Sequence, residues 1–252
     1  MPIAITRPVP QSLARCELTH LVRAPIDVTR AADQHAQYET ALGLMGCTVR
    51  HLPRADDLPD SVFVEDVALV LDEIAIVMRP GAESRRDERA SVAAVLSEYR
   101  TLHAIAAPGT MDGGDVLRIG KTLYVGLSTR TNEDGAHQLA RIVEPFGYAV
   151  VPVETRACLH LKSAATAIDD DRVLCNPEWI DETVFRRIET VAVDPGEPNA
   201  ANVLRVGGQL LSAAAHVRTI ARLRARGYRV HAVDVSELAK AEAGVTCCSV
   251  IV

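Results

Sequence analysis

Apolar residues along the chain occur in short runs that polar turns separate. Residues 61–80 read SVFVEDVALVLDEIAIVMRP, in which the polar pair Asp72–Glu73 divides two apolar runs. Apolar runs of strand length around a short polar turn are typical of a β-hairpin. The same pattern recurs at residues 115–128 and 201–213. We therefore expect three hairpins in the fold.

Segments with helical periodicity follow these hairpins. In residues 87–100, 133–147 and 216–227 the apolar positions recur at three- and four-residue intervals, which predicts amphipathic helices. Short apolar runs at residues 148–153 and 228–235 come directly after two of these helices and predict further strands. The chain thus alternates hairpins, helices and strands, which indicates an α/β fold.

Similar strand starts recur along the chain. They begin at Glu65, Gly113, Lys162, Ala201 and Thr246. Their spacing of roughly 40–50 residues is within the range of repeat architectures. Five such units predict a ring of α/β modules around a pseudo-axis, built as a single domain over residues 1–252. A single doubly wound sheet is the alternative, because the same alternation of strands and helices permits it.

Composition and charge narrow the classes of partner. The chain has 252 residues, of which 48% are apolar and 24% charged, with a net charge of −6. An acidic balance argues against a nucleic acid or an anionic membrane as partner, because both favour a basic face. No apolar stretch approaches the roughly 18 residues that cross a bilayer, and the N-terminus lacks a long apolar run. We expect a soluble, cytoplasmic protein.

The cysteines raise a question of role. They are Cys16, Cys47, Cys158, Cys175, Cys247 and Cys248. Without an export signal, reduced thiols are the expectation, and the absence of a C-x-x-C pair argues against a structural zinc site. Cys247 and Cys248 stand together in an apolar run that predicts the last strand. Either both pack in the core or one of them is a nucleophile.

Chemically reactive side chains lie where predicted strands begin or end. They include Asp60, Glu65, Asp66, Arg85, Asp112, Arg130, His160 and Cys247. A ring of modules would bring such positions together at its axis. A thiolate would act as nucleophile, a histidine would transfer protons, and a carboxylate would orient it. Further carboxylates would hold a cation, and arginines would hold a carboxylate. This set suits an arginine-like ligand, although each residue alone also fits a structural role.

Six segments carry a resemblance to a known family. In chain order they are LPDSVFVEDVA, RPGAESRR, MDGGDVL, VGLSTRTN, LHLKS and TCCSV. With them the chain resembles the dimethylarginine dimethylaminohydrolases, members of the pentein superfamily of guanidine-modifying enzymes. The likeness runs from about Arg7 to the C-terminus. It implies an α/β fold, a five-module pseudo-symmetric α/β propeller.

The resemblance also implies catalytic roles. Cys247 matches the nucleophile, and Cys248 would pack on the opposite face of the strand. His160 matches the general acid and base. Asp112 matches the carboxylate that works with the histidine and the guanidinium.

Further roles follow from the same resemblance for residues around the substrate. Asp60 and Asp66 match the acids around its cation, and Phe63 and Glu65 would line the same pocket. Arg85 and Arg130 match the residues that bind the α-carboxylate. Two more positions are implied: Leu18 in a mobile lid segment, and Ala241, whose backbone carbonyl would contact substrate. The pair Glu242–Ala243 departs from the family pattern, which often has Asp-Gly there.

The activity that the resemblance implies is hydrolysis of Nω-methylated arginines. The products would be citrulline and methylamine or dimethylamine, released through a covalent thiouronium on Cys247. The expectation includes a small-molecule substrate, no cofactor, no metal other than an inhibitory zinc at Cys247, and an open option of a homodimer. Two alternatives remain: deimination of arginine or another guanidine, and a non-catalytic thiol or zinc-binding protein that uses Cys247 with His160.

Overall fold

Fifteen short strands form five separate three-stranded sheets in the computed structural model, which describes residues 1–252. The strands are β1 (Ile3–Thr6), β2 (Thr48–His51), β3 (Ala68–Val70), β4 (Ile74–Val77), β5 (Thr101–Ala104), β6 (Val116–Ile119), β7 (Thr122–Leu127), β8 (Ala149–Glu154), β9 (Ala165–Ala167), β10 (Arg172–Cys175), β11 (Glu189–Ala192), β12 (Val203–Val206), β13 (Gln209–Ala213), β14 (Arg229–Val233) and β15 (Val250–Ile251). The sheets are β15-β1-β2, β3-β4-β5, β6-β7-β8, β9-β10-β11 and β12-β13-β14.

Every sheet has the same internal plan. Its first two strands pair antiparallel, and its third strand pairs parallel with the second. The parallel pair needs a crossover connection, which a helix supplies in four of the five modules. The middle strand is largely buried in each sheet, and all four residues of β4 are buried. Because β15 pairs with β1, the C-terminal strand completes the sheet that the N-terminal strand begins.

Six α-helices connect or precede the strands. They are α1 (Val28–Leu44), α2 (Arg89–Leu96), α3 (Glu133–Val143), α4 (Leu161–Ala164), α5 (Val217–Ala225) and α6 (Ser236–Ala239). The carboxylate of Asp27 and the amide oxygen of Asn132 cap the N-termini of α1 and α3 by accepting a backbone N–H. None of these helices is long and apolar enough to cross a membrane.

A short helical turn leads into the first strand of each of four modules. These turns are Val64–Val67, Gly113–Asp115, α4 and Pro198–Ala201, and a turn at residues 245–248 leads toward β15. We call these five segments the entry turns. The first four contact one another in chain order, and β15 contacts β3. The modules therefore follow one another around an axis, and the expected five-module α/β propeller is confirmed.

The predicted hairpins are confirmed, because β3 pairs with β4, β6 with β7, and β12 with β13. The predicted helices and strands are present with ends shifted by a few residues. The alternative of a single doubly wound sheet is wrong, since no strand joins two of the five sheets.

The predicted strand starts need a correction. Glu65, Gly113, Lys162, Ala201 and Thr246 lie in the entry turns, and the strands begin two to four residues later. The strand predicted across Cys247–Cys248 is also wrong, because both residues lie in a turn and β15 begins only at Val250. The apolar residues there are buried by packing between modules, so their hydrophobicity carries no strand period.

Candidate active site

Cys247 lies in the fifth entry turn, and its side chain is only 9% exposed. The backbone N–H of Gly244 donates to its Sγ at 3.3 Å. Cys248 is buried in the largest apolar cluster, which also contains Tyr38. The neighbouring Ser249 shares a hydrogen bond with the hydroxyl of Tyr38. Both cysteines pack in this cluster, but only Cys247 also lines a pocket, as described below.

His160 is the residue directly before α4, and it is buried between two carboxylates. Its Nε2 lies 3.1 Å from Oδ2 of Asp112, and its Nδ1 lies 3.8 Å from Oδ1 of Asp66. The ring also lies against Gly114, where an added Cβ would stand 2.6 Å from Nδ1. Any larger residue at position 114 would push the imidazole away, so the glycine is required by this close approach.

These surroundings set the charge of the acid–base pair. Burial works against a charged His160, but the carboxylates of Asp66, Asp112 and Asp115 outweigh it and raise its pKa to about 9. Burial raises the pKa of the Cys247 thiol to about 12, and Asp66 and Glu65 add to the effect. At neutral pH the pocket therefore holds an imidazolium and a neutral thiol.

Asp112 connects His160 to Arg130. Its Oδ1 accepts the backbone N–H of Gly81 at 3.0 Å, and its Oδ2 lies 3.7 Å from Nη1 of Arg130. Arg130 also donates from Nη2 to the hydroxyl of Thr19 at 3.1 Å. Because Asp112 is completely buried, its only way to act on a ligand is through these two neighbours.

Arg85 is held in a buried network. It donates to both carboxylate oxygens of Glu88 and, from Nη1, to Asp66 at 2.6 Å. Its Nη2 also donates to the carbonyls of Asp60 and Phe63. Burial opposes the charge of Asp66, but His160 and Arg85 hold its pKa below the usual value. The guanidinium thus fixes both the orientation and the charge of a carboxylate at the pocket.

Asp60 and Glu65 are occupied by other groups. Both oxygens of Asp60 accept the backbone N–H of Glu17 at 3.1 and 3.2 Å. Burial raises the pKa of Asp60, although Arg85 opposes the shift. Glu65 forms an ion pair with Lys162 at 2.6 Å and accepts a hydrogen bond from Thr246. Glu65 therefore joins three entry turns to one another.

A narrow pocket of about 20 Å³ has Cys247 and His160 in its wall. The other lining residues are Glu17, Asp60, Phe63, Asp66, Arg85, Arg130, Leu159, Ala241, Glu242 and Ala243. Eight of the eleven residues singled out from the sequence are in this lining. The other three lie outside it: Asp112 and Glu65 act from behind it, and Leu18 packs partly buried against the large apolar cluster.

Four lining residues had not been singled out: Glu17, Leu159, Glu242 and Ala243. Glu17 and Leu159 adjoin the predicted Leu18 and His160, so proximity along the chain was their only signal. Glu242 and Ala243 had appeared only as a departure from the family pattern. A larger cavity of about 520 Å³ shares Leu159, Glu242 and Ala243 with the pocket.

One group of side chains could hold a metal ion. Ligand atoms of Asp66, Asp112 and His160 all lie within 4.8 Å of one another. Their mutual hydrogen bond and ion pairs already explain this approach. A cation there would compete with the positive charge on His160.

The fold and the pocket together define a class of protein: an α/β propeller with a buried thiol, an imidazolium and carboxylates facing one pocket, as nucleophilic catalysis on a cation requires. Residues 53–206 match the family model described as arginine deiminase. The N(G),N(G)-dimethylarginine dimethylaminohydrolase of Streptomyces coelicolor is 42% identical over 98% of this chain and 95% of its own length. The enzyme of the same name from Pseudomonas aeruginosa is 35% identical over 88% of this chain and 89% of its own.

Solved structures agree with these relatives. A mutant of the Pseudomonas aeruginosa dimethylarginine dimethylaminohydrolase in complex with citrulline superposes with a TM-score of 0.95 at 33% identity, covering 99% of this chain and 98% of that one. A dimethylarginine dimethylaminohydrolase adduct with S-methyl-L-thiocitrulline superposes with a TM-score of 0.93 at the same identity and coverage. The chain belongs to the dimethylarginine dimethylaminohydrolase family, and the resemblance found in its motifs is confirmed.

Proposed function

We propose that the chain is a hydrolase that converts Nω-methylated arginines to citrulline and methylamine or dimethylamine. The observation that carries this proposal is the pocket itself. The thiol of Cys247 and the imidazolium of His160 line it together with the carboxylates of Asp60 and Asp66 and the guanidinium of Arg130. A ligand with a cation at one end and a carboxylate at the other complements such a lining. Relatives that carry the name of this activity support the proposal.

The carboxylates beside Cys247 hold the substrate guanidinium. Asp66 is ionised, because His160 and Arg85 keep its pKa low, and it lies at the pocket wall. The bound cation then changes the thiol. A positive charge next to Cys247 favours the thiolate, which offsets the burial that otherwise raises its pKa to about 12. Nucleophile activation is therefore coupled to the arrival of a charged substrate, with the thiol proton passing to solvent.

The first chemical step forms the Sγ–C bond to the guanidinium carbon. His160 enters this step protonated, since its pKa is about 9, and donates its proton to the departing methylated nitrogen. The C–N bond breaks, the amine leaves, and a thiouronium cation remains on Cys247. The now neutral His160 takes a proton from water as the water oxygen adds to the same carbon. Collapse of that adduct breaks the C–S bond, expels the thiolate, releases the remaining hydroxyl proton to solvent and yields the ureido group of citrulline.

The other end of the substrate is bound by Arg130 and Arg85. Arg130 is the better placed of the two, because only Asp112 at 3.7 Å and the Thr19 hydroxyl engage its terminal nitrogens. Arg85 contributes its charge while it holds Asp66 and Glu88. Asp60 joins Asp66 around the substrate cation, the backbone carbonyl of Ala241 contacts the substrate, and Leu18 adjoins Glu17 of the pocket wall.

A second candidate function is deimination of arginine, which the match of residues 53–206 to the arginine deiminase model favours. The same nucleophile and acid–base group would serve, with ammonia as the leaving group. The two reactions differ only in the size of the leaving amine.

The proposed function is tested by assaying asymmetric dimethylarginine, monomethylarginine and arginine with the wild type, Cys247→Ser and Cys158→Ser. Cys158 is the matched control, because it lies two residues from His160 and lines only the larger cavity. We expect citrulline and dimethylamine from the wild type and from Cys158→Ser. Turnover by Cys247→Ser should fall at least about 10³-fold while citrulline binding persists.

Two results would contradict the proposal. Comparable turnover by Cys247→Ser and wild type would exclude Cys247 as nucleophile. Turnover of arginine without turnover of either methylated substrate would move the chain to the deiminase reaction.

We also infer that residues 1–252 act as one catalytic domain, because the pocket draws lining groups from Glu17 to Cys247. A small molecule is the expected partner. An inhibitory zinc at Cys247, cytoplasmic location and a homodimer stay predictions.

A further inference from the structure

Residues 17–22, which we call the lid segment, are mostly exposed. Glu17 lines the catalytic pocket, and His20 and Leu21 line the larger cavity beside it. Leu21 and Val22 are 50% and 93% exposed, so the segment contributes little to the apolar core. Polar contacts must therefore hold it in place. Glu242 makes the most numerous of these contacts.

The carboxylate of Glu242 accepts three consecutive backbone N–H groups of the lid segment. Its Oε2 accepts from Thr19 at 2.9 Å, and its Oε1 accepts from His20 and Leu21 at 2.5 Å each. These contacts join parts of the chain more than 220 residues apart. A charged acceptor makes stronger hydrogen bonds than a neutral one, so this one side chain fixes half of the lid backbone.

The backbone of Glu242 is itself in an unusual conformation. Its φ is 60°, in the left-handed region that glycine adopts freely and a glutamate does not. A residue held there costs stability unless the surroundings require it. This conformation directs the carboxylate toward the lid segment, and the three hydrogen bonds that the side chain then makes offset the cost of the left-handed backbone.

The residues that Glu242 fixes also contact the predicted substrate-binding groups. Thr19 accepts a hydrogen bond from Arg130, and the adjoining Glu17 N–H binds Asp60. Leu18 lies between these two contacts. Glu242 itself lines both the catalytic pocket and the larger cavity. The position of Glu242 therefore sets the orientation of the lid segment toward the groups that would bind the two ends of an amino acid.

We propose that Glu242 is a positioning residue for substrate binding: its carboxylate holds Thr19, His20 and Leu21 so that the lid segment stays closed over the pocket and correctly oriented toward Asp60 and Arg130. The inference rests on the proposed function, because it assigns Glu242 to the binding of that substrate. It predicts that loss of the carboxylate weakens binding far more than it slows the chemistry at Cys247.

The test compares Glu242→Gln and Glu242→Gly with wild type. Glutamine keeps the length of the side chain and loses the charge. Glycine removes the side chain and also relieves the left-handed backbone. We expect hydrogen exchange of the peptide spanning residues 17–22 to accelerate about tenfold in Glu242→Gly, with Glu242→Gln in between. The KM for asymmetric dimethylarginine should rise about tenfold with kcat within about threefold, the pattern of lost binding rather than lost chemistry.

Thermal stability separates positioning from a merely structural role. Because Glu242→Gly relieves the backbone, its melting temperature should stay level or rise while its KM also rises. Two variants remote from the pocket serve as controls. Arg187→Gly relieves another left-handed residue, with φ 66°. Glu197→Gln weakens another carboxylate that accepts two backbone N–H groups, those of Arg218 and Thr219. Neither should change KM or lid exchange.

Unchanged lid exchange in Glu242→Gly would overturn the proposal, and so would faster exchange with an unchanged KM. The exchange measurement needs no turnover. If wild type hydrolyses none of the three guanidines, the proposed function fails while the exchange rates still decide whether Glu242 holds the lid.

Discussion

The floor of the catalytic pocket and its lid segment are built in opposite ways. The floor consists of Asp66, Arg85, Asp112 and His160, all less than 10% exposed and joined by ion pairs and hydrogen bonds. The lid segment is mostly exposed and is held by hydrogen bonds to single side chains. Water can replace the exposed contacts of the lid segment more easily than the buried contacts of the floor. We therefore expect the floor to stay preorganised for chemistry and the lid segment to be the part that moves when substrate enters.

Buried charges also make the floor intolerant of change. A buried ion pair adds little net stability, because desolvation of the two charges offsets their attraction. Removing one partner is different, since the other buried charge then loses part of its compensation. The contrast between floor and lid should therefore be visible in mutations that each remove one group.

The largest effect is expected for Glu88→Gln. Glu88 is buried and pairs with Arg85 through both oxygens, so the substitution should lower the free energy of unfolding by about 3 kcal/mol. Chemical denaturation measures it. Glu98→Gln is the control, because Glu98 also binds an arginine, Arg50, through both oxygens but at the surface. The free energy of unfolding of Glu98→Gln should change little. Equal losses in the two variants would contradict the difference between the buried and the exposed ion pair.

The next effect concerns chemistry rather than stability. Asp112→Asn keeps the shape of the floor but removes a charge that supports protonated His160, so kcat should fall about 100-fold. The wild-type pKa of about 9 for His160 predicts that activity declines as pH rises through that value. In Asp112→Asn this decline should move to lower pH. A pH profile of kcat/KM measures the shift.

Exposed Asp72→Asn serves as the control and should leave the pH profile of kcat/KM unchanged. An Asp112→Asn profile identical to that of wild type would contradict the role of Asp112 at His160.

The pKa of His160 also has a consequence for folding, because it lies above its ordinary value of 6.5. Protonated His160 therefore stabilises the fold fully below pH 6.5, and this contribution is lost as pH rises through about 9.

The smallest effect is expected in the lid segment. Thr19→Val removes the hydroxyl that accepts from Arg130 and leaves the backbone N–H to Glu242, so KM should rise about threefold with kcat unchanged. Thr40→Val removes a similar hydroxyl contact on the surface of α1 and should change neither constant. Steady-state kinetics of both variants measures KM and kcat. A large loss of kcat in Thr19→Val would show that the lid belongs to the preorganised floor after all.

Local sequence patterns predicted the hairpins, helices and strands from which the modules are built. Hairpins at residues 61–80, 115–128 and 201–213 were correct, because alternation of apolar runs and polar turns follows from burial on the two faces of a sheet. The repeat spacing predicted the five-module ring but also permitted a single doubly wound sheet, and the family resemblance favoured the ring. The strand predicted at Cys247–Cys248 was wrong, because these apolar residues are buried by packing between modules and not by strand pairing.

The sequence by itself determined the family, the number of modules and most residues of the pocket, because local patterns and short motifs specify them. Only the tertiary structure decided which groups face one another. It placed His160 between Asp66 and Asp112, paired Glu65 with Lys162, and brought Glu242 to the lid more than 220 residues away. Such contacts depend on how the modules close around the axis, and no local pattern records that closure. Proton affinities depend on burial and neighbouring charge, so they too exist only in the folded chain.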